Sequence, residues 1–223
     1  MKDYQLCNID TEDIENLLVK VENSFNIKFV TNELVHISTF GQLCDHIADK
    51  IQLTNSNDCT SQQAFYKLRK AILSTLLLDK EIVSTDFLLK DLLPRQSRRL
   101  RIRNLEKFLG FKLNLLRPPH WITRILIIIL LISFFALFFN LRIAFLGLAF
   151  SICGLWFANK IGNELDLETV GQVAEKVASE NYLKSRRNPN TFNKKEVEKV
   201  ITHLFSTELD IDKINLTRDA KFI

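Results

Sequence analysis

The chain has 223 residues, room for one ordinary domain or two small ones, and its 47% apolar and 25% charged content with a net charge of +4 describes a globular protein on average. Four cysteines (Cys7, Cys44, Cys59, Cys153) without CxxC spacing exclude a disulfide framework and a zinc site, and six glycines form no phosphate loop, so nucleotide binding has no support. The average hides a segregation: between Ile122 and Ala158 the only charged side chains are Arg124 and Arg142.

Met1-Lys2-Asp3-Tyr4-Gln5 lacks the basic start, apolar stretch and cleavage site of a secretory signal, so the polar segments are expected to stay in a reducing cytoplasm. From Asp10 onward, Ile14, Leu17, Leu18, Val21 and Phe25 recur at helical spacing, Ile27-Lys28-Phe29 reads as an extended link, and Phe40, Leu43, Cys44, Ile47 and Ile51 define a further helix begun by Thr39. Asp10 suits a helix N-cap, with Asp13 and Glu15 beside the positive end of the helix dipole. Eight acids against three lysines make residues 10–51 acidic.

Arg95 to Lys112 mixes arginines with Leu100, Leu105, Phe108, Leu109 and Phe111, a spacing that predicts a helix in the headgroup layer, ended by Pro118-Pro119. The residues expected at lipid headgroups are Arg98, Arg99, Arg101, Arg103, Lys107, Lys112, Arg117, Trp121 and Arg124. Nucleic acid is the rival partner for such a run, but a neighbouring apolar span makes anionic lipid the nearer one. A plain topology signal explains the run equally well.

Ile125 to Phe139 carries no charge and, counted back to Trp121, makes a helix of roughly 28 Å, about a hydrocarbon thickness. Ile143 to Ala158 is a second apolar stretch of roughly 24 Å, with Gly147, Ser151, Cys153 and Gly154 as small residues for close helix approach. Only Asn140-Leu141-Arg142 separates them, which predicts a transmembrane hairpin between Trp121 and Lys160 with both flanks on one face. Nine basic residues against Glu106 before or entering the first span, and Arg142 alone at the turn, put that face and both termini in the cytoplasm. The rivals are a buried hairpin of a soluble core and a re-entrant hairpin, the latter leaving Arg142 in lipid at roughly 3 kcal/mol. Beyond the hairpin, Asn181 to Pro189 reads as a basic solvated linker, with a grip on phosphates or an acidic partner as the functional alternative.

The order Val21-Glu22-Asn23-Ser24-Phe25-Asn26-Ile27-Lys28-Phe29, then Ser38-Thr39-Phe40-Gly41-Gln42-Leu43-Cys44-Asp45-His46-Ile47, resembles the second half of the acyl carrier protein family. Glu168 to Val177 echoes Ser38 to Ile47, while Leu68 to Leu93 and Val197 to Ile223 both look like a carrier's first helix and following loop. The resemblance implies carrier-like halves in shuffled order, with the apolar face of Val197 to Ile223 completed by Asp10 to Ile51 of the same or another chain, hence a possible homodimer. It places the phosphopantetheine position at Thr11, but Asp10-Thr11-Glu12 replaces the family's Asp-Ser-Leu motif, so no cofactor is expected.

His36, His46, His120 and His203 have no ligand or nucleophile at a recognisable spacing, so neither catalysis nor a metal site is expected. The expected protein is all-α: a carrier-like domain over 1–93, a basic juxtamembrane segment over 94–120, a transmembrane hairpin over 121–158 and a second carrier-like segment over 159–223. Its expected role is non-catalytic docking or scaffolding at the cytoplasmic membrane, with the bilayer and acyl-chain or lipid synthesis enzymes as partners. A genuine tethered carrier loaded on Thr11 or another hydroxyl and a small oligomeric channel or transporter subunit are the alternatives.

Overall fold

The computed structural model describes residues 10–76 and 83–222. Cys7, residues 78–82 of the expected carrier-like loop, Ile223 and the side chain of Thr11 fall outside that description. Among the described residues helices dominate: α1 (Thr11–Phe25), α2 (Phe40–Lys50), α3 (Thr60–Leu76), α4 (Leu89–Leu92), α5 (Arg98–Leu109), α6 (His120–Ala136), α7 (Leu141–Ile161), α8 (Val170–Glu180), α9 (Tyr182–Ser185) and α10 (Lys194–Glu208). Two-residue strands pair as β1 (Thr54–Asn55) parallel to β4 (Thr191–Phe192) and β2 (Leu116–Arg117) antiparallel to β3 (Glu164–Leu165). The chain falls into two compact units, one drawn from Met1–Ile72 with Gly171–Ile223 and the other from Leu73–Val170.

In the first unit the helices begin where side chains can satisfy orphan backbone donors. Asp10 accepts from the Glu12 amide, Asn193 from the Lys195 amide, and Thr39 and Gln42 form a reciprocal capping box at the start of α2. Leu17, Val21 and Phe25 of α1 meet Phe40, Leu43 and Ile47 of α2 and Val197, Ile201, Leu204 and Phe205 of α10 in one core, with Phe40 and Phe205 edge to face at 5.2 Å. The apolar face of α10 is therefore covered by α1 and α2 of the same chain.

The chain end completes this core. The Phe40 and Gly41 amides donate to the carbonyls of Ala220 (2.8 Å) and Arg218 (2.9 Å), so the tail caps α2. A Cβ at Gly41 would stand 2.8 Å from the Arg218 carbonyl oxygen, which is why the tail lies down only over a glycine.

A local device appears twice. At the end of α1, Asn26 is left-handed, its amide donates to the Glu22 carbonyl, and the Glu22 carboxylate accepts from the Phe29 amide at 2.6 Å. At the end of α5, Gly110 is left-handed, its amide donates to the Glu106 carbonyl, and the Glu106 carboxylate accepts from the Leu113 amide at 2.8 Å. The helix that follows repeats too. Thr39 bridges Lys221, with Phe40 donating to Ala220 and Phe222 to Ser38; Thr169 bridges Leu88, with Val170 donating to Phe87 and Leu89 to Glu168. A short link joins the two halves of the device in the first occurrence, and β2, α6, α7 and β3 are inserted there in the second. Sequence reading found the Ser38–Ile47 and Glu168–Val177 pair but missed Leu105–Leu113 as the counterpart of Val21–Phe29, because its arginine-rich helix reads as a surface element.

Candidate functional site

α6 and α7 lie antiparallel with small residues at their seam: Ser133 stands beside Gly147 and Leu126 beside Gly154. Ala144, Ser151 and Ala158 are buried along the same line, and the two serine hydroxyls donate within their own helices, to Ile129 and Gly147 carbonyls. Apart from Leu126, the seam is free of buried bulky side chains, and most of the large apolar groups point the other way. Phe138 and Phe139 are 82% and 91% exposed, and Phe134, Phe145, Phe150, Ile152 and Trp156 are all more than half exposed. A water-soluble core helix hides its large apolar groups; this pair hides its small ones.

Among the described residues α7 alone, at 21 residues and 17% buried over its most apolar stretch, is long and apolar enough to cross a membrane, and α6 is a shorter apolar helix of 17 residues. The expected lengths are thereby reversed. The first helix stops at Ala136 and the chain turns over Leu137–Asn140, where the Asn140 side chain accepts from the Arg142 and Ile143 amides. Leu141 and Arg142, expected in the turn, begin α7 instead. α7 also runs on to Ile161, with the Lys160 ammonium 4.9 Å from the Trp156 ring centre.

The chain enters and leaves the pair side by side, because β2 precedes α6, β3 follows α7, and Leu116 is paired with Leu165 and Arg117 with Glu164. The Arg117 guanidinium holds Asp166 at 3.0 Å across this clamp. Gly162 is required at the end of α7, since a Cβ there would come within 2.6 Å of the Arg117 carbonyl.

Three of the arginines expected at lipid headgroups donate to backbone carbonyls of the protein, Arg98 from a buried position, Arg101 from a half-buried one and Arg99 from the surface. Arg98 is buried and donates to the Leu93 carbonyl (2.9 Å) and to that of Asn163; Arg99 donates to Gly162 (2.8 Å) and Lys160 (3.1 Å); Arg101 donates to Leu92 (2.7 Å). They satisfy orphan carbonyls where α4 and α7 end, at the negative end of the helix dipole. Leu105, Leu109 and Phe111, expected to face lipid, are buried in protein, whereas Leu100 and Phe108 share the outward face of α5 with Arg103 and Lys107. Lys112, Trp121 and Arg124 are exposed as well.

A second polar cluster, illegible in the sequence, lies inside the first unit. The Thr60 hydroxyl donates to Glu196 at 2.6 Å and accepts from the Arg186 guanidinium at 2.5 Å, while the Tyr182 hydroxyl donates to Glu196 at 3.2 Å and accepts from the Asn193 amide at 2.9 Å. Burial raises the Tyr182 phenol above its ordinary pKa. The Asn181–Pro189 stretch is therefore not a solvated linker: Tyr182, Ser185 and Arg186 are buried and only Lys184 and residues 187–190 are exposed. Tyr and Arg in a polar run are the one signal that could have marked it.

Thr11 begins α1 behind its Asp10 cap. Elsewhere, His46 is held by Glu33 at 2.8 Å, burial beside Lys213 lowers the pKa of His203, and burial pushes the Cys44 thiol up to about 12. Among the described residues no group of three His, Cys, Asp or Glu side chains is placed to hold a metal. No family model, curated protein or solved structure matches the chain.

Proposed function

We propose that the protein is a non-catalytic, membrane-anchored interaction protein in which α6 and α7 span the bilayer as a hairpin and the helical domains lie on its cytoplasmic side. The observation that carries this reading is the inverted burial of the helix pair, with small residues at the seam and large apolar ones outward. The cost of exposing so many Phe, Ile and Trp side chains to water is removed if their surroundings are lipid tails. The exposed Arg103, Lys107, Lys112 and Arg124 near the clamped end supply the positive charge that favours the cytoplasmic face.

The repeated helix, left-handed cap and threonine-started helix support a relation to acyl carriers, and with it docking of acyl-chain or lipid synthesis enzymes as the role of the polar domains. Asp10-Thr11-Glu12 in place of the Asp-Ser-Leu motif speaks against loading with phosphopantetheine.

Protease digestion of sealed, oriented vesicles tests the topology: cleavage near Arg99 and near Arg187 is expected from the same side. Cleavage at these sites from opposite sides rejects the hairpin. Intact-mass measurement after co-expression with a phosphopantetheinyl transferase is expected to find unmodified chain, and an adduct at Thr11 would make the protein a carrier rather than a scaffold.

A further inference from the structure

At the clamped end of α6 and α7 a notch of about 300 Å³ opens within the second unit. Its floor is apolar, from Ile122, Phe157 and Ile161, and its rim is polar, from Arg95, Asn163 and Glu164. The Asn163 side-chain amide donates to the Arg95 carbonyl at 2.9 Å, which fixes its orientation and leaves the side-chain oxygen as the free end. That oxygen is buried and accepts no hydrogen bond. An acceptor in this state calls for a donor. The adjoining Glu164 carboxylate selects a cationic one, and Arg95, which lines the same rim, adds a cation suited to phosphate.

An ammonium donor, a phosphate and an apolar chain are joined in that order in one class of molecule, and the notch sits where such headgroups lie if the helix pair spans a bilayer. Resting on that membrane reading, we propose that the notch is a site for one bilayer phospholipid with a primary-amine headgroup. Its ammonium meets Asn163 and Glu164, its phosphate meets Arg95, and the first methylenes of one chain cover Ile122, Phe157 and Ile161. A choline headgroup has the charge but no N–H to give to Asn163, and a glycerol headgroup lacks the charge.

Native mass spectrometry of the delipidated full-length protein, titrated with phosphatidylethanolamine, phosphatidylcholine or phosphatidylglycerol, tests the site. One phosphatidylethanolamine is expected to bind roughly tenfold more tightly than either of the others, the worth of one charge-assisted hydrogen bond. The preference is expected to vanish in Glu164→Gln, whereas Arg95→Gln, which removes a contact to the phosphate that all three lipids carry, is expected to weaken the binding of all three alike; neither substitution touches the backbone pairing of β2 with β3. Equal retention of the three lipids, or an intact preference in Glu164→Gln, overturns the proposal. Flotation with phosphatidylcholine vesicles separates it from the membrane reading: flotation without lipid preference removes the site alone, and failure to float removes both.

Discussion

The guanidinium of Arg186 sits inside the first unit with a carboxylate, a phenol and a threonine hydroxyl around it, its Nη1 3.8 Å from Glu196. Removing the arginine leaves the Glu196 carboxylate, only partly shielded from water, without its cation. Arg186→Met is accordingly expected to cost about 2–3 kcal/mol, below the loss for a fully buried pair, and adding Glu196→Gln to recover part of it by neutralising that carboxylate. Urea midpoints in detergent measure both, and a loss under about 1 kcal/mol for the single variant rejects the buried-pair account. Glu33 is governed by a different balance. Its hydrogen bond with Lys50, aided by the Val30 amide at 2.7 Å, lowers its pKa to about 2. Because the folded value is depressed, its contribution to stability is present above the ordinary carboxylate value of about 4.3 and is lost as the pH falls from there toward 2. Glu33→Gln should therefore narrow its stability deficit across that window, and a constant deficit would contradict the assignment.

At the scale of elements, glycines set the close approach between α6 and α7 and beneath the tail. A Cβ on Gly147 would stand 2.9 Å from the Ser133 Cβ and closer still to its hydroxyl, so Gly147→Leu must drive α6 and α7 apart, an overpacking cost of about 1–3 kcal/mol. Thermal unfolding in detergent is expected to fall accordingly. The tail provides the other case. Cutting the chain after Glu208 removes the carbonyls that cap α2 and uncovers the core around Ile211, Leu216 and Ala220. Hydrogen exchange in α2 is expected to accelerate strongly, and unchanged protection would mean that the tail is not part of the fold.

For the molecule as a whole, α6 and α7 behave as an insertion into a helical device that exists elsewhere in the chain without them. Replacing residues 118–163 by a short polar link with the sequence of Val30–Ile37 should yield a chain that elutes as a single species without detergent and keeps exchange protection in α1, α2 and α10. Loss of protection in those three helices would show that the first unit depends on the helix pair. The first unit itself is assembled from both ends of the sequence, with α1 and α2 from the N-terminal part and α10 and the tail from the C-terminal part.

The two apolar helices, the capping box at Thr39 and the amphipathic faces of α1, α2 and α10 were legible in the sequence, since each depends on residues within a few turns of one another. Apolar content alone marked Ile125–Phe139 and Ile143–Ala158 as helical, and the structure makes all of the second stretch and the first as far as Ala136 helical. That content could not fix where they end: Asn140 and Gly162 act through turn and clamp geometry. Nor could spacing tell that Arg98, Arg99 and Arg101 would meet backbone carbonyls, or that Tyr182 and Arg186 would be buried beside Glu196. A charge pattern along the chain reports that a side chain is polar, but the partner that satisfies it is brought up by chain closure over scores of residues. Sequence by itself determined the strongly periodic helices and the two apolar ones; the tertiary structure decided which arginines stay clear of the backbone and which hold the fold together.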